Sequence, residues 1–269
     1  VNMRLIHIIL TLGYLLLPPL FCLADDFPYR KNYPDVPVLE IGEVRNGYEN
    51  GDILLVDVRT KMEFETIHPE SAVHIDFANQ LFLSNLRKLG EDNPGKKIVL
   101  YDNGITCLKC YIATQDAVDE NMENIYAYDG GIQAWAEKYP ADTILMGKLI
   151  RAPQTQLIPY DEYLKISLDF TTFKQKVAES PNAKVVDARD PKQRTSTLPG
   201  FENAMPIPLD KLIANVINKG YMKDDQLFIF DQVGRQARWL MYYLNEKGYR
   251  NYYFLKGGAT AVLREQQYR

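Results

Sequence analysis

The sequence predicts an α/β protein built from two domains of one kind, each a parallel sheet with helices on both faces. Three repeated features predict it. A short apolar run ending in aspartate occurs as Ile53-Leu-Leu-Val-Asp57 and again as Lys184-Val-Val-Asp187. A second such run follows each, Ile98-Val-Leu-Tyr101-Asp102 and Leu227-Phe-Ile-Phe230-Asp231. Each copy then reaches a glycine pair, Gly130-Gly131 and Gly257-Gly258. The intervals between these marks are 45 and 28 residues in the first copy and 44 and 26 in the second. Self-similarity at a domain-sized period marks a duplication, and 269 residues leave room for two cores.

The elements follow in order. Residues 1–24 carry Arg4, an apolar run from Leu5 to Leu17, Pro18-Pro19, and the small-residue ending Cys22-Leu23-Ala24. That pattern predicts a signal peptide cleaved before Asp25 and export to a bacterial periplasm or beyond. The alternative is an uncleaved N-terminal membrane anchor; a lipoprotein at Cys22 is disfavoured by bulky Phe21. Residues 25–36 are polar and proline-broken, an irregular lead-in. Over 37–140, the first domain, β-branched and aromatic runs predict strands at 53–57, 72–75, 97–101 and 125–128. Helices are expected near 62–66, 79–89, 107–120 and 131–138. Residues 141–165, with Pro153 and Pro159, form a linker whose parts Lys148-Leu-Ile-Arg and Leu157-Ile-Pro-Tyr are expected to be partly ordered. The second domain, 166–269, repeats the pattern. Its strands are expected near 184–187, 204–207, 226–230 and 251–255, and its helices near 171–179, 209–218, 234–247 and 258–265.

Composition is that of a globular chain, 46% hydrophobic and 25% charged, with a net charge of −4. Mild acidity argues against a nucleic-acid surface or a polybasic membrane face. Of three cysteines, Cys22 leaves with the leader, so the mature chain keeps Cys107 and Cys110. In an oxidising compartment such a pair is redox-active, metal-binding or idle. A metal site shared with His68 or His74 is the weaker option, because neither histidine has ligand spacing. No metal and no cofactor are expected.

Together these marks resemble the rhodanese family in its tandem, two-domain sulfurtransferase arrangement. The matching pieces are Asp57-Val-Arg59 with Glu63-Phe64 and His68, and Asn124 to Trp135 around the glycine pair. In the second copy they are Asp187-Ala-Arg189, Leu198-Pro-Gly200, Pro206-Ile-Pro208 and Gly248 to Gly258. The resemblance spans roughly 38–140 and 165–267. It implies a loop after the second strand whose cysteine carries sulfur, held by backbone N–H groups and a helix N-terminus. Alignment on Tyr101 and Phe230 puts Asp102 and Asp231 in that cysteine's place. Aspartate has no sulfur to load, and its charge repels thiosulfate-like donors, so ordinary turnover at Asp231 is excluded.

The first copy offers Cys107-Leu-Lys109-Cys110 just past its loop. A position at a helix start, with Lys109 alongside, predicts a lowered thiol pKa, with Cys107 attacking and Cys110 resolving. The pair is similar to thioredoxin-type geometry and to a subgroup of exported rhodanese-like proteins marked by Cys-x-x-Cys-Trp, with Tyr111 here in place of tryptophan. The competing reading is a quiet disulfide or two buried small side chains. Candidate binding groups are Asp102, Gly104, Thr106, Lys109, Asp231, Gly234 and Arg235, with Arg238 near them. Asp57, Arg59, Asp187, Arg189, His68 and Trp135 are read as scaffold. An aspartate-phosphatase reading of Asp102-Asn-Gly-Ile-Thr106 is set aside, since its second aspartate and lysine are not evident. Two functions therefore stand: sulfane-sulfur or thiol–disulfide chemistry at Cys107/Cys110, with a small sulfur-containing anion or a protein thiol or disulfide as partner, or a catalytically inactive module binding an anion or a protein.

Overall fold

A computed structural model describes residues 27–267; the leader expected over 1–24 lies outside the described residues. Among those described, no helix is long and apolar enough to cross a membrane. The first half runs α1 (Ile41–Asn50), β1 (Ile53–Asp57), α2 (Lys61–Thr66), β2 (Ile67–Pro69), β3 (Val73–His74), α3 (Phe82–Glu91), β4 (Lys97–Tyr101), α4 (Lys109–Asp119), β5 (Ile125–Tyr128) and α5 (Gly131–Lys138). The connecting stretch holds β6 (Thr143–Leu145), β7 (Lys148–Leu149), α6 (Pro153–Gln156) and α7 (Tyr160–Ile166). The second half continues with β8 (Ser167–Leu168), α8 (Phe170–Glu179), β9 (Ala183–Asp187), β10 (Met205–Pro206), α9 (Leu209–Lys211), β11 (Gln226–Phe230), α10 (Gln236–Glu246), β12 (Tyr252–Leu255) and α11 (Gly258–Gln267).

Each half is a parallel sheet flanked by helices, as the alternation predicts. The first sheet has the order β3-β1-β4-β5 and the second β10-β9-β11-β12-β8. The duplication extends to register: Asp57 pairs with Tyr101 and Asp187 with Phe230. Central strands covered on both faces must be apolar throughout; Val99 and Leu100 are fully buried, as are Leu227 and Phe228. The carboxyl ends of β4 and β11 therefore deliver Asp102 and Asp231 to equivalent loops.

Helix α1 (Ile41–Asn50) is absent from the sequence expectations, and three further differences accompany it. The 209–218 helix is α only to Lys211 and then winds wider as a π segment over Leu212–Ile217. The helix expected from 107 begins at Lys109. Strands β2, β6 and β7 form a small antiparallel ribbon, and β8 adds an edge strand beside β12. None of these was predicted, because runs of two or three residues carry no periodicity and exist only through their partners. One apolar cluster spans both halves, from Ile132 and Trp135 to Trp239, Leu240 and Tyr242. That shared core sets the two loops face to face.

Candidate functional site

The site is made of two strand-to-helix loops that meet between the halves. In each, the chain leaves a buried strand and turns into a helix whose first N–H groups have no partner within the helix. The aspartate that ends the strand supplies them. Asp102 accepts from the Gly104 N–H and the Cys110 N–H, both at 2.9 Å. Asp231 accepts from the N–H groups of Val233 (3.0 Å), Gly234, Gln236 (2.8 Å) and Ala237 (3.3 Å). Each loop is a concave set of donors already filled by a carboxylate from its own chain. Burial holds both carboxyls above the usual aspartate range, and these backbone donors oppose the rise without cancelling it. The repeated glycine pairs serve the same loops: Gly131 (φ 59°) and Gly258 (φ 61°) pack so closely that an added Cβ would fall 2.6 Å from the carbonyl oxygens of Asp102 and Asp231 respectively. No side chain larger than hydrogen fits there.

The thiols differ from expectation. Cys107 lies ahead of α4 and Cys110 in its first turn; both are free and buried, at 1% and 0% exposure. Burial, and next the Asp102 charge, push the Cys107 thiol up to about 12, against the opposing pull of Arg235. Burial and Asp102 likewise hold Cys110 well above the ordinary thiol value. The expected lowering fails first because both sulfurs are buried, and next because Asp102 sits beside them and takes the Cys110 N–H, one of the donors at the start of α4. Lys109 helps only through its backbone N–H, which pulls Cys107 down against these larger effects; its charge acts on Glu63. Burial raises Glu63, and Lys109 with Arg59 brings it below the usual glutamate range.

This sets a first prediction. A thiol whose folded value exceeds its unfolded one contributes stability that is complete below the unfolded value and is lost as pH climbs through the folded one. For Cys107 the window runs from the ordinary 9.0 to about 12. Native protein should therefore resist thiol reagents at pH 8 and label fully in denaturant. The denaturation midpoint of wild type should fall more than that of Cys107→Ala between pH 8 and 10.5. Prompt native labelling at pH 8 would contradict the burial.

Contacts across the interface arrange the rest. Arg235 Nη1 donates to Cys107 Sγ at 3.2 Å and Nη2 to the Thr106 carbonyl at 2.6 Å. Trp239 Nε1 donates to Asn103 Oδ1 at 2.8 Å, and Asn103 Nδ2 donates to Glu63 Oε1 at 2.7 Å. Glu63 itself is fixed by the capping box Thr60-Lys-Met-Glu63 at the start of α2. Gln236 Nε2 donates to Thr60 Oγ1 at 3.1 Å. Asp57 and Arg59 form a buried pair, as do Asp187 and Arg189. His68 Nδ1 is engaged by the Phe64 carbonyl, and Trp135 is core.

Between the loops lies a cavity of about 260 Å³. Of the sequence candidates, Gly104, Thr106, Gly234 and Arg235 line it, whereas Asp102, Asp231, Lys109 and both cysteines do not. Asn103, Gln133, Tyr160, Tyr163 and Trp239 also line it and went unmarked in the sequence; Ile105 and Arg238 complete the wall. Arg238 lies 5.1 Å from the Tyr160 ring centre and 5.3 Å from that of Trp239, and burial lowers its pKa. Its Nε is buried without a hydrogen-bond partner. Among the described residues no carboxylate lies within ion-pair distance of Arg235 or Arg238, and no group of three or more His, Cys, Asp and Glu is placed to hold a metal ion. The cavity can offer cationic and polar donors to a small anion.

The family described as Rhodanese-like domain matches residues 40–138 and 170–265. Over 103 residues, 37% of the chain, the sequence is 31% identical to tRNA uridine(34) hydroxylase of Photorhabdus laumondii and covers 28% of that protein. Over 91 residues, 34% of the chain, it is 29% identical to thiosulfate sulfurtransferase GlpE of Pseudomonas syringae, covering 79% of that protein. Thiosulfate sulfurtransferase from Pseudomonas aeruginosa superposes with a TM-score of 0.36 at 19% identity, over 86% of this chain and 43% of that one. The BH2092 protein of Bacillus halodurans gives 0.37 at 18% identity, over 50% and 93%.

Proposed function

Since the chain belongs to the rhodanese-like domain family through both of its halves, we propose that it is a tandem member that no longer performs ordinary cysteine-borne sulfur transfer and instead binds a small anion between its domains. Asp102 and Asp231 stand, in this reading, where active members carry the sulfur-bearing cysteine. One observation carries it: both loops that would cradle a loaded sulfur have their N–H groups taken by internal carboxylates, while Arg235 and Arg238 line the cavity without a carboxylate partner among the described residues. A site that keeps cationic donors but fills its reactive cradle is suited to holding a ligand rather than turning it over. The ligand is taken to be a small sulfur-containing anion. Export to the periplasm through the leader is part of the same proposal.

A second reading rests on the Arg235–Cys107 contact. A guanidinium on the sulfur favours thiolate, and displacement of Arg235 by an incoming anion would uncover Cys107 for sulfane-sulfur transfer or for exchange with Cys110. Intact mass after incubation with thiosulfate separates the two. The expected result is an unchanged mass; gain of one sulfur atom, absent from Cys107→Ser, would overturn the binding reading in favour of the thiol.

A further inference from the structure

A second cavity of about 190 Å³ adjoins the first. Gln133, Tyr160, Arg238 and Trp239 line both. Both are walled mainly by apolar surface and differ in the polar groups they add. The first presents Arg235, the Thr106 segment and the loop backbones; the second is walled largely by Ile67, Ala136, Leu157, Ile158 and flanking prolines. Glu137, exposed on α5, is the single carboxylate among the residues lining either space; its charge reaches Arg238 but it lies outside ion-pair distance. Arg238 stands at the junction, stacked between Tyr160 and Trp239.

We infer that the natural ligand is an anionic amphiphile: an organic sulfonate, sulfate ester or carboxylate whose head meets Arg235 and Arg238 and whose short apolar tail fills the second cavity. This rests on the proposed anion site and extends it. An inorganic anion would satisfy the guanidinium groups but leave the apolar chamber unused. An uncharged apolar molecule would cover half-buried Arg238, whose Nε has no partner, without supplying a counter-charge, a costly arrangement for a cation leaving water. Planar, bidentate donation by arginine suits a carboxylate or sulfonate head. Tail burial then adds affinity in proportion to the apolar area removed from water.

Trp239 gives the readout, because the chain has two tryptophans and the other, Trp135, is sealed in the core. The full chain is titrated by fluorescence and calorimetry with sulfate, methanesulfonate, butanesulfonate and hexanesulfonate, each below micelle-forming concentration. Affinity is expected to rise about fourfold per methylene until the second cavity is filled. Arg238→Gln should weaken every sulfonate at least about tenfold, as expected for loss of a charge-assisted bidentate contact. Leu157→Phe, which occupies the apolar chamber, should bring the advantage of hexanesulfonate over methanesulfonate toward unity; thermal melts confirm that both variants are folded. Equal affinity for sulfate, methanesulfonate and hexanesulfonate would overturn the amphiphile while leaving the anion site standing. Absence of binding by every probe would remove both. A chain-length gain that survives unchanged in Leu157→Phe would put the tail elsewhere, and sulfonate affinities that survive unchanged in Arg238→Gln would put the head elsewhere; either overturns the inference.

Discussion

Asp231→Ala is expected to lose about 3 kcal/mol of folding stability and to recover part of it in sulfate. The carboxylate accepts four backbone N–H groups of one loop, and alanine leaves all four facing an empty space. An unmade bond to a buried donor costs about 1–3 kcal/mol, and of these four only the Ala237 N–H bond is fully buried, the others being partly so. Part of that is offset, because the burial that raises the Asp231 carboxyl is itself a cost that alanine removes. The net loss is therefore well below the sum. The vacated cradle should then accept an anion from solution. Sulfate at about ten times its dissociation constant returns about 1.4 kcal/mol, visible as a sulfate-dependent rise in melting temperature beyond that of wild type. A variant that melts like wild type, or gains no more from sulfate than wild type does, would show that the loop does not depend on its internal carboxylate.

Asp231→Cys is expected to gain sulfur loading at position 231. The sulfur would stand among the same N–H donors at the start of α10, with no competing acceptor, and a thiol so placed is driven toward thiolate. Given thiosulfate, the thiolate attacks the outer sulfur, the sulfur–sulfur bond of the donor breaks, and sulfite leaves with the electron pair. The product is a persulfide at position 231, read as one added sulfur atom per chain by intact mass and removed by a small thiol. Wild type should stay unloaded under the same conditions. A folded Asp231→Cys protein that never loads would mean that position 231 is not where a nucleophile belongs, and the family-based placement of Asp231 would fall with it.

The two experiments exploit what was legible in the sequence. The paired aspartates at strand ends, their shared spacing and the glycine pairs are local facts, and backbone register preserves them. The alternation of strand and helix similarly fixed the α/β class. Cys107 shows where local reasoning ends. Position near a helix start promised a reactive thiol, yet the direction is reversed, first because the fold buries the sulfur and next because Asp102, five residues back, holds the Cys110 N–H and places its charge beside both sulfurs. A positive helix end helps a thiol only if no nearer anion has taken its donors. Arg235 was marked for its own loop, but its hold on Cys107, 128 residues away, depends on how two domains dock. No pattern within either copy encodes that. Tyr160 and Tyr163 were invisible for a similar reason: they sit on α7, and only the docked domains turn that helix into a cavity wall.

The short strand β8 has a practical corollary for anyone dissecting the chain. Ser167 and Leu168 border Tyr252–Leu255, but they precede residue 170, where the second family match starts. A fragment cut at the match would strip the rim from that sheet and bare a hydrophobic border, Phe254-Leu255, to any neighbouring chain; such borders recruit copies of themselves. The usable cut site is therefore set by geometry rather than by homology, and falls upstream of Ser167.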